Sequence, residues 1–204
     1  WPMPDIVSSG PTLLLWALIA YIIGSIPFGL ILARVMGLGN LRDIGSGNIG
    51  ATNVLRTGSK KAAALTLLLD GGKGAVVVLL ARAYANADAS QIAAFAVMIG
   101  HCFPVWLKFR GGKGVATFLG LLYGLAWPIG IAACLSWLVT ALVFRFSSLA
   151  ALVAAASTMV WAVVLGEPQI FMLCAFLIAL IFWRHAGNIR RLVDGTEGKI
   201  GKKT

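Results

Sequence analysis

Apolar residues run along this chain in long blocks, without the alternation of buried and exposed faces that soluble helices show. A hydrocarbon core of about 30 Å needs about 20 apolar residues per helix, and several blocks reach that length. The pattern therefore predicts an all-α integral membrane protein with seven transmembrane helices. The predicted spans cover residues 12–35, 62–84, 90–107, 115–127, 128–144, 148–165 and 168–183.

Three of the predicted spans depart from a plain apolar helix. The first contains Pro27, which predicts a kink. The second contains the sequence Asp-Gly-Gly-Lys-Gly from Asp70 to Gly74, which predicts an interruption. The span at 115–127 is short.

The composition supports the membrane interpretation. The chain is 59% hydrophobic and only 12% charged, about half the charged share of a soluble domain. Its mean hydropathy is +0.90. The first apolar block is too long for the core of a signal peptide, so we expect no cleaved leader.

The formal charge of +10 suggests anionic partners. Nucleic acid is excluded, because little polar chain remains outside the bilayer to hold a duplex. Anionic lipid headgroups and anionic substrates are the expected partners. The three cysteines are scattered and form no CxxC pair, so we expect neither a disulfide framework nor a metal site.

The basic residues also predict an orientation. With the N-terminus outside, fifteen of the seventeen Lys and Arg residues fall on the inner side or in the C-terminal tail. The positive-inside rule then places the C-terminus in the cytoplasm.

The first polar segment, residues 45–56, has the sequence GSGNIGATNVLR. No strand precedes its GxGxxG pattern, so a dinucleotide fold is excluded. Its glycines would let backbone N–H groups approach an anion, and Ser46, Asn48 and Asn53 add polar groups. Arg56 would supply a bidentate fork for phosphate. The alternative is a solvated loop of ordinary turn residues.

The second polar segment, residues 100–117, has the sequence GHCFPVWLKFRGGKGVAT. Gly-Gly-Lys-Gly before a span would combine a helix N-terminus, backbone N–H groups and the cation Lys113. A role in orienting the span explains Lys108 and Arg110 equally well. It does not explain the three glycines around Lys113, which are Gly111, Gly112 and Gly114.

The third polar segment, residues 184–197, has the sequence RHAGNIRRLVDGTE. His185 and Asn188 would share one face of a continuing helix. The alternative for His185 is an ordinary interfacial histidine. Glu197 lies among cations, which favours a structural ion pair over catalysis.

Three ionisable residues within the spans leave their roles open. Asp70 and Lys73 are three residues apart, so they would either neutralise each other or form the wall of a site. His101 would be either a core histidine or a catalyst.

Together these segments resemble the bacterial acyl-phosphate:glycerol-3-phosphate acyltransferases. The matching sequences are GSGNIGATNVLR at 45–56, GHCFPVWLKFRGGKGVAT at 100–117 and HAGNIRRLVDGTEGK at 185–199, with DGGKG at 70–74. The resemblance covers nearly the whole chain. It implies seven spans with an outer N-terminus, a multi-pass location in the bacterial inner membrane, and an active site at the cytoplasmic face.

The resemblance also implies an activity and the residues that perform it. The expected reaction transfers a fatty acyl group from acyl phosphate to the 1-hydroxyl of glycerol 3-phosphate, without a metal or cofactor. Ser46, His185 and Asn188 would then be catalytic. The substrate-binding residues would be Arg56, Lys113, Asn48, Asn53, Gly111, Gly112 and Gly114.

A second function remains open at this point. The sequence at 70–77 resembles that at 110–117, and duplicated segments are common in transporters. This echo, with the predicted interruption of the second span, favours an anion or lipid-phosphate transporter as the alternative.

Overall fold

The computed structural model describes residues 2–201, and every regular element in that range is helical. Two basic residues counted in the predicted tail, Lys202 and Lys203, lie outside the described residues. The chain divides into an N-terminal unit of residues 5–125 and a C-terminal unit of residues 126–201 with residues 2–4.

The N-terminal unit contains six α-helices. These are α1 Gly10–Gly24, α2 Phe28–Val35, α3 Ala51–Leu55, α4 Lys60–Tyr84, α5 Ala87–Cys102 and α6 Val115–Leu125. Short 3₁₀ turns lie at Leu41–Asp43 and Val105–Leu107. The main packing pairs are α1 with α5 and α4 with α6.

The C-terminal unit contains four α-helices. These are α7 Trp127–Phe144, α8 Ser147–Val164, α9 Phe171–Arg184 and α10 Ala186–Val193. A 3₁₀ turn, Pro168–Ile170, precedes α9. Helix α8 packs against both α7 and α9.

The membrane interpretation is confirmed at the level of an all-helical, apolar protein. Five helical segments of the described chain are long and apolar enough to cross a bilayer: Gly10–Val35, Lys60–Tyr84, Ala87–Leu107, Trp127–Phe144 and Ser147–Val164. A sixth candidate is Pro168–Arg184 with Ala186–Val193, a pair bent by 63°. The count of seven spans and the orientation remain predictions.

The predicted fourth span is the short helix α6. Its 11 residues give a length of about 16 Å, about half of the hydrocarbon thickness. Most of its residues are buried in the protein. Because most of α6 packs against protein, it does not need the length that a lipid-facing helix requires.

At Pro27, where a kink was predicted, the helix is interrupted: α1 ends at Gly24 and α2 begins at Phe28. Side chains satisfy two of the carbonyls at the break. The indole of Trp106 donates to the Ser25 carbonyl at 2.8 Å, and Lys73 donates to the Ile26 carbonyl at 2.8 Å. The break is therefore built into the packing of the unit.

The predicted interruption of the second span is wrong, because α4 is continuous through Asp70 to Gly74. Its glycines serve close packing instead. A Cβ atom on Gly120 of α6 would lie 1.9 Å from the Gly71 carbonyl oxygen, and one on Gly74 would lie 2.6 Å from the Thr117 carbonyl oxygen. Small residues let the two backbones approach, as in other membrane helix pairs. The broken helix that favoured a transporter is therefore absent.

Candidate active site

Asn53 organises the first polar segment. It is 1% exposed and donates to the carbonyls of Leu41 at 2.9 Å and Asn48 at 2.7 Å. Its side-chain oxygen accepts the backbone N–H of Ser46 at 3.1 Å, the Ser46 hydroxyl at 3.4 Å, and Arg56 Nη1 at 3.3 Å. One buried amide thus joins three other residues of the segment to one another and to Leu41, and it fixes the path of the chain there.

Two glycines of this loop have backbone conformations that favour glycine. Gly45 has φ of 53° and Gly47 has φ of 66°. A Cβ atom on Gly45 would also lie 2.5 Å from the Arg56 side chain. The glycine therefore lets the Arg56 side chain lie across the loop.

The glycines of the second segment pack against the end of α5. The N–H of Gly111 donates to the Cys102 carbonyl at 3.0 Å, and the N–H of Gly112 donates to the His101 carbonyl at 3.1 Å. A Cβ atom on Gly112 would lie 2.2 Å from Nε2 of His101. Both N–H groups are thus used in folding the loop, and the expectation that they bind an anion stays a prediction.

Lys113 follows these two glycines and is half-buried. Gly114, the next residue, has φ of 80°, and a Cβ atom there would lie 2.2 Å from Cε of Met98. The chain turns directly into α6 at Val115. Packed glycines on both sides thus set the position of the Lys113 backbone.

Arg42 joins the two glycine-containing segments, a role that sequence reasoning missed. Its guanidinium donates to the Gly47 carbonyl at 3.1 Å and also to the Arg110 carbonyl. In the sequence Arg42 counted only as a topology cation, and no local pattern indicated a contact 68 residues away. The structure thus brings Ser46 and Asn48 of the loop together with Asn53 of α3 and Arg56 at the end of α3, and Arg42 ties this loop to the second segment.

In the third segment, the helix does not continue as expected. It ends at Arg184 and resumes as α10 after a bend at His185, so the continuing helix that this expectation assumed is interrupted at His185. His185 and Asn188 are nevertheless both buried, with 3% and 6% exposure. Nδ1 of His185 lies 2.8 Å from the Ile181 carbonyl oxygen. A carbonyl can only accept, so Nδ1 carries a proton in this contact.

Glu197 holds the third segment together. Its carboxylate accepts Asn188 Nδ2 at 2.6 Å, the Ser148 hydroxyl at 2.7 Å and Arg191 Nε at 2.7 Å. Burial alone would raise the pKa of Glu197, but these hydrogen bonds and the Arg191 charge lower that pKa overall. The expected structural role of Glu197 agrees with this geometry.

Asp70 and Lys73 form the pair that their spacing suggested, with Nζ 2.8 Å from Oδ1. Among the described residues, no three His, Cys, Asp or Glu side chains are grouped as metal ligands. The absence of a cofactor stays a prediction.

Known proteins were compared with the chain by sequence and by structure. A sequence model of the glycerol-3-phosphate acyltransferase family matches residues 14–195. A relative named glycerol-3-phosphate acyltransferase from Roseobacter denitrificans is 62% identical over 97% of this chain and 99% of its own length. One of the same name from Ruegeria pomeroyi is 63% identical over 99% of this chain and 100% of its own.

Two solved structures share the fold. Both are crystal structures of PlsY, an integral membrane glycerol 3-phosphate acyltransferase, in its glycerol 3-phosphate form and its lysophosphatidic acid form. The first has a TM-score of 0.88 and 38% identity, covering 93% of this chain and 96% of that chain. The second has a TM-score of 0.84 and 35% identity, covering 93% and 95%. From the family match, the sequence identities and the shared fold, this chain belongs to the glycerol-3-phosphate acyltransferase family.

Proposed function

We propose that this protein transfers a fatty acyl group from acyl phosphate to the 1-hydroxyl of glycerol 3-phosphate. The products are 1-acylglycerol 3-phosphate and inorganic phosphate. The observation that carries the proposal is family membership along residues 14–195, with every matched polar motif intact. The solved relatives, named for glycerol 3-phosphate and lysophosphatidic acid forms, support the same acceptor and product.

The polar motifs contain no His-x4-Asp pair, and this supports acyl phosphate as the donor. Many glycerolipid acyltransferases use a His-x4-Asp pair, but here Trp106 lies five residues after His101 and Arg190 five residues after His185. An acyl phosphate is a mixed anhydride with a good leaving group. It therefore needs less activation than a thioester and no acyl-enzyme intermediate.

The phosphate groups of two anionic substrates need cations, and Arg56 and Lys113 are assigned to bind them. Arg56 is exposed and its guanidinium is held on one side by Asn53, which leaves a planar fork suited to phosphate. Lys113 presents a point charge from a backbone fixed by its neighbours. Gly111 and Gly112 contribute by placing Lys113, since their own N–H groups bond the end of α5.

Ser46 is assigned to the developing charge on the acyl carbon's oxygen. Ser46 is exposed, and within residues 2–201 its hydroxyl makes one long contact, 3.4 Å, with Asn53. A weakly held hydroxyl can turn to donate to an oxyanion. Asn48 and Asn53 support this role by shaping the loop.

The reaction balances without an enzyme nucleophile. The 1-hydroxyl oxygen of glycerol 3-phosphate attacks the acyl carbon, and the bond from that carbon to the phosphate oxygen breaks. The hydroxyl proton passes to the phosphate group as it leaves, so the second product is the hydrogen phosphate dianion. His185 orients glycerol 3-phosphate through the ring nitrogen opposite Nδ1, and Asn188 supports the same substrate.

The protein is assigned to the bacterial inner membrane with this chemistry at the cytoplasmic face. In the predicted topology, the basic residues of the three polar segments lie on the side that the positive-inside rule makes cytoplasmic. The acyl chain would enter between helices from the lipid.

A phosphate-release assay tests the function. Purified protein with palmitoyl phosphate should release phosphate only when glycerol 3-phosphate is present, with an equal amount of acylated product. Phosphate release independent of glycerol 3-phosphate would sink the proposal. Vesicles containing the protein, with labelled glycerol 3-phosphate outside, test the transporter alternative, which predicts uptake without acylation.

A further inference from the structure

Three ionisable side chains form a buried cluster that the proposed chemistry does not use. Asp70 and Lys73 of α4 are 2% and 6% exposed, and His101 of α5 is 5% exposed. Oδ1 of Asp70 lies 2.8 Å from Lys73 Nζ and 3.7 Å from His101 Nδ1. Ionisable groups within membrane helices are costly, and the expected compensation is a specific role.

Lys73 connects this cluster to the glycine-rich turn at residues 45–50, at the start of the first polar segment. Its ammonium donates to the Ile26 carbonyl at the break between α1 and α2, and it lies 5.6 Å from the centre of the Phe28 ring. Gly29, on the first turn of α2, packs against the first loop. A Cβ atom there would lie 1.9 Å from the Ile49 carbonyl oxygen. Lys73 therefore fixes the helix start against which that loop rests.

His101 connects the cluster to the loop at residues 111–114, which contains Gly111, Gly112, Lys113 and Gly114. Its carbonyl accepts the Gly112 N–H, and its ring occupies the space where a Cβ atom of Gly112 would lie. The orientation of the ring thus limits the path of the backbone at Gly112. Lys113 is the next residue along the chain.

We propose that Asp70, Lys73 and His101 are positioning residues that hold Lys113 and the 45–50 turn in their working geometry. The inference rests on the proposed function, since it names how the phosphate-binding lysine of that site is placed. A purely stabilising role explains the cluster less well, because a buried ion pair is often no more stable than apolar residues of similar volume. The cluster makes directional contacts beside both loops, through Lys73 to the Ile26 carbonyl and through His101 to Gly112. Apolar residues would not make directional contacts of this kind.

The test compares Asp70→Asn and His101→Gln with Asp88→Asn. Asp88 is a matched control: it is 5% exposed, lies in the same unit, and accepts the N–H groups of Val7 and Ser8 at the opposite end of α5. The readouts are the thermal unfolding temperature, kcat, and KM for each substrate, with Lys113→Ala as reference.

Asp70→Asn and His101→Gln should each raise KM for the same substrate as Lys113→Ala does. The expected fall in kcat/KM is about 10- to 100-fold, the size of a small misplacement of a binding group. Asp88→Asn should lower the unfolding temperature and leave both KM values unchanged. A folded Asp70→Asn or His101→Gln enzyme with wild-type KM values overturns the proposal.

A second variant covers the case in which Asp70→Asn does not fold because Lys73 is left unpaired. The double variant Asp70→Asn/Lys73→Met removes both charges, and it should fold while keeping the raised KM. If the double variant is unfolded, or folded with normal KM values, the cluster is only a folding element and the proposal is wrong. Wild-type protein that forms no acylated product would instead refute the proposed function.

Discussion

At the residue scale, two cations carry the proposed phosphate binding. Arg56→Ala and Lys113→Ala should each lose most activity while still folding, because each removes a charge that anionic oxygens require. The measurement is initial rate against substrate concentration for purified, monodisperse enzyme. Near-normal turnover at low substrate would reduce the residue concerned to a topology cation.

Lys108→Ala is the matched control for these variants. Lys108 belongs to the same basic segment, is exposed, and lies in a turn with φ of 51°. Its replacement removes one charge from the same loop without touching the packed glycines. Its activity should remain close to wild type.

His185 separates two routes for the hydroxyl proton. In the proposed route the leaving phosphate accepts the proton, so His185→Gln should retain appreciable activity: its amide can still donate to the Ile181 carbonyl as Nδ1 does. His185→Ala should lose most activity. General-base help is worth about 10²–10⁴-fold, so the rates of the two variants distinguish the routes. Equal inactivity of both, with glycerol 3-phosphate still bound, would make His185 the general base.

Individual residues also mark the limit of prediction from sequence. The pattern around Lys113 predicted an anion site at the start of a span, and that site stays a prediction. It did not indicate that the N–H groups of Gly111 and Gly112 bond the end of α5, because their partners depend on how α5 ends. The long-range bridge from Arg42 was invisible for the same reason.

At the element scale, the contact between α4 and α6 depends on glycine. Gly120→Ala should destabilise the protein by about 1–3 kcal/mol, the usual cost of overpacking, because its Cβ atom would overlap the Gly71 carbonyl. Gly72→Ala is the control on α4, since a Cβ atom there meets nothing within 4 Å. That variant should gain about 0.5–1 kcal/mol from helix propensity. Thermal unfolding in detergent measures both, and equal effects would refute this packing account.

The tail segment should respond to acid through Glu197. Its pKa is lowered in the folded protein from an ordinary value of 4.5, so the stability it contributes is present above pH 4.5. That stability is lost as pH falls from 4.5 through the lowered value. Glu197→Gln should therefore lower the unfolding temperature at pH 7 and flatten its decline in acid.

Asp194→Asn is the comparison for Glu197→Gln. Asp194 is an exposed carboxylate near the same tail segment, so this variant should keep the wild-type decline in acid. A Glu197→Gln protein with an unchanged acid decline would show that Glu197 does not stabilise the segment.

The helices were predicted better than their interruptions. The lengths of the apolar runs predicted the ends of three helices within a few residues: Lys60–Tyr84, Trp127–Phe144 and Ser147–Val164. They did so because a bilayer of fixed thickness requires about 20 apolar residues per helix. The prediction of an interruption at Asp70 to Gly74 was wrong. Glycines and charged residues within an apolar run are typical of a helix break when their neighbours in the fold are not known. In the structure a neighbouring helix and an ion pair accommodate both.

At the scale of the whole molecule, the chain combines apolar helices with polar segments rich in glycine and cations. Family membership accounts for this division, since an acyl chain belongs in lipid and phosphate groups need water and positive charge. The account therefore depends on one chemical choice, the donor of the acyl group.

A comparison of acyl donors, each supplied separately, tests that choice most directly. Purified protein in detergent is given labelled glycerol 3-phosphate with palmitoyl phosphate, palmitoyl-CoA or palmitoyl carrier protein, and 1-acylglycerol 3-phosphate is quantified by mass spectrometry. The account predicts product with palmitoyl phosphate alone, one phosphate released per product, and no product with either thioester. Product formed equally well from palmitoyl-CoA would contradict it.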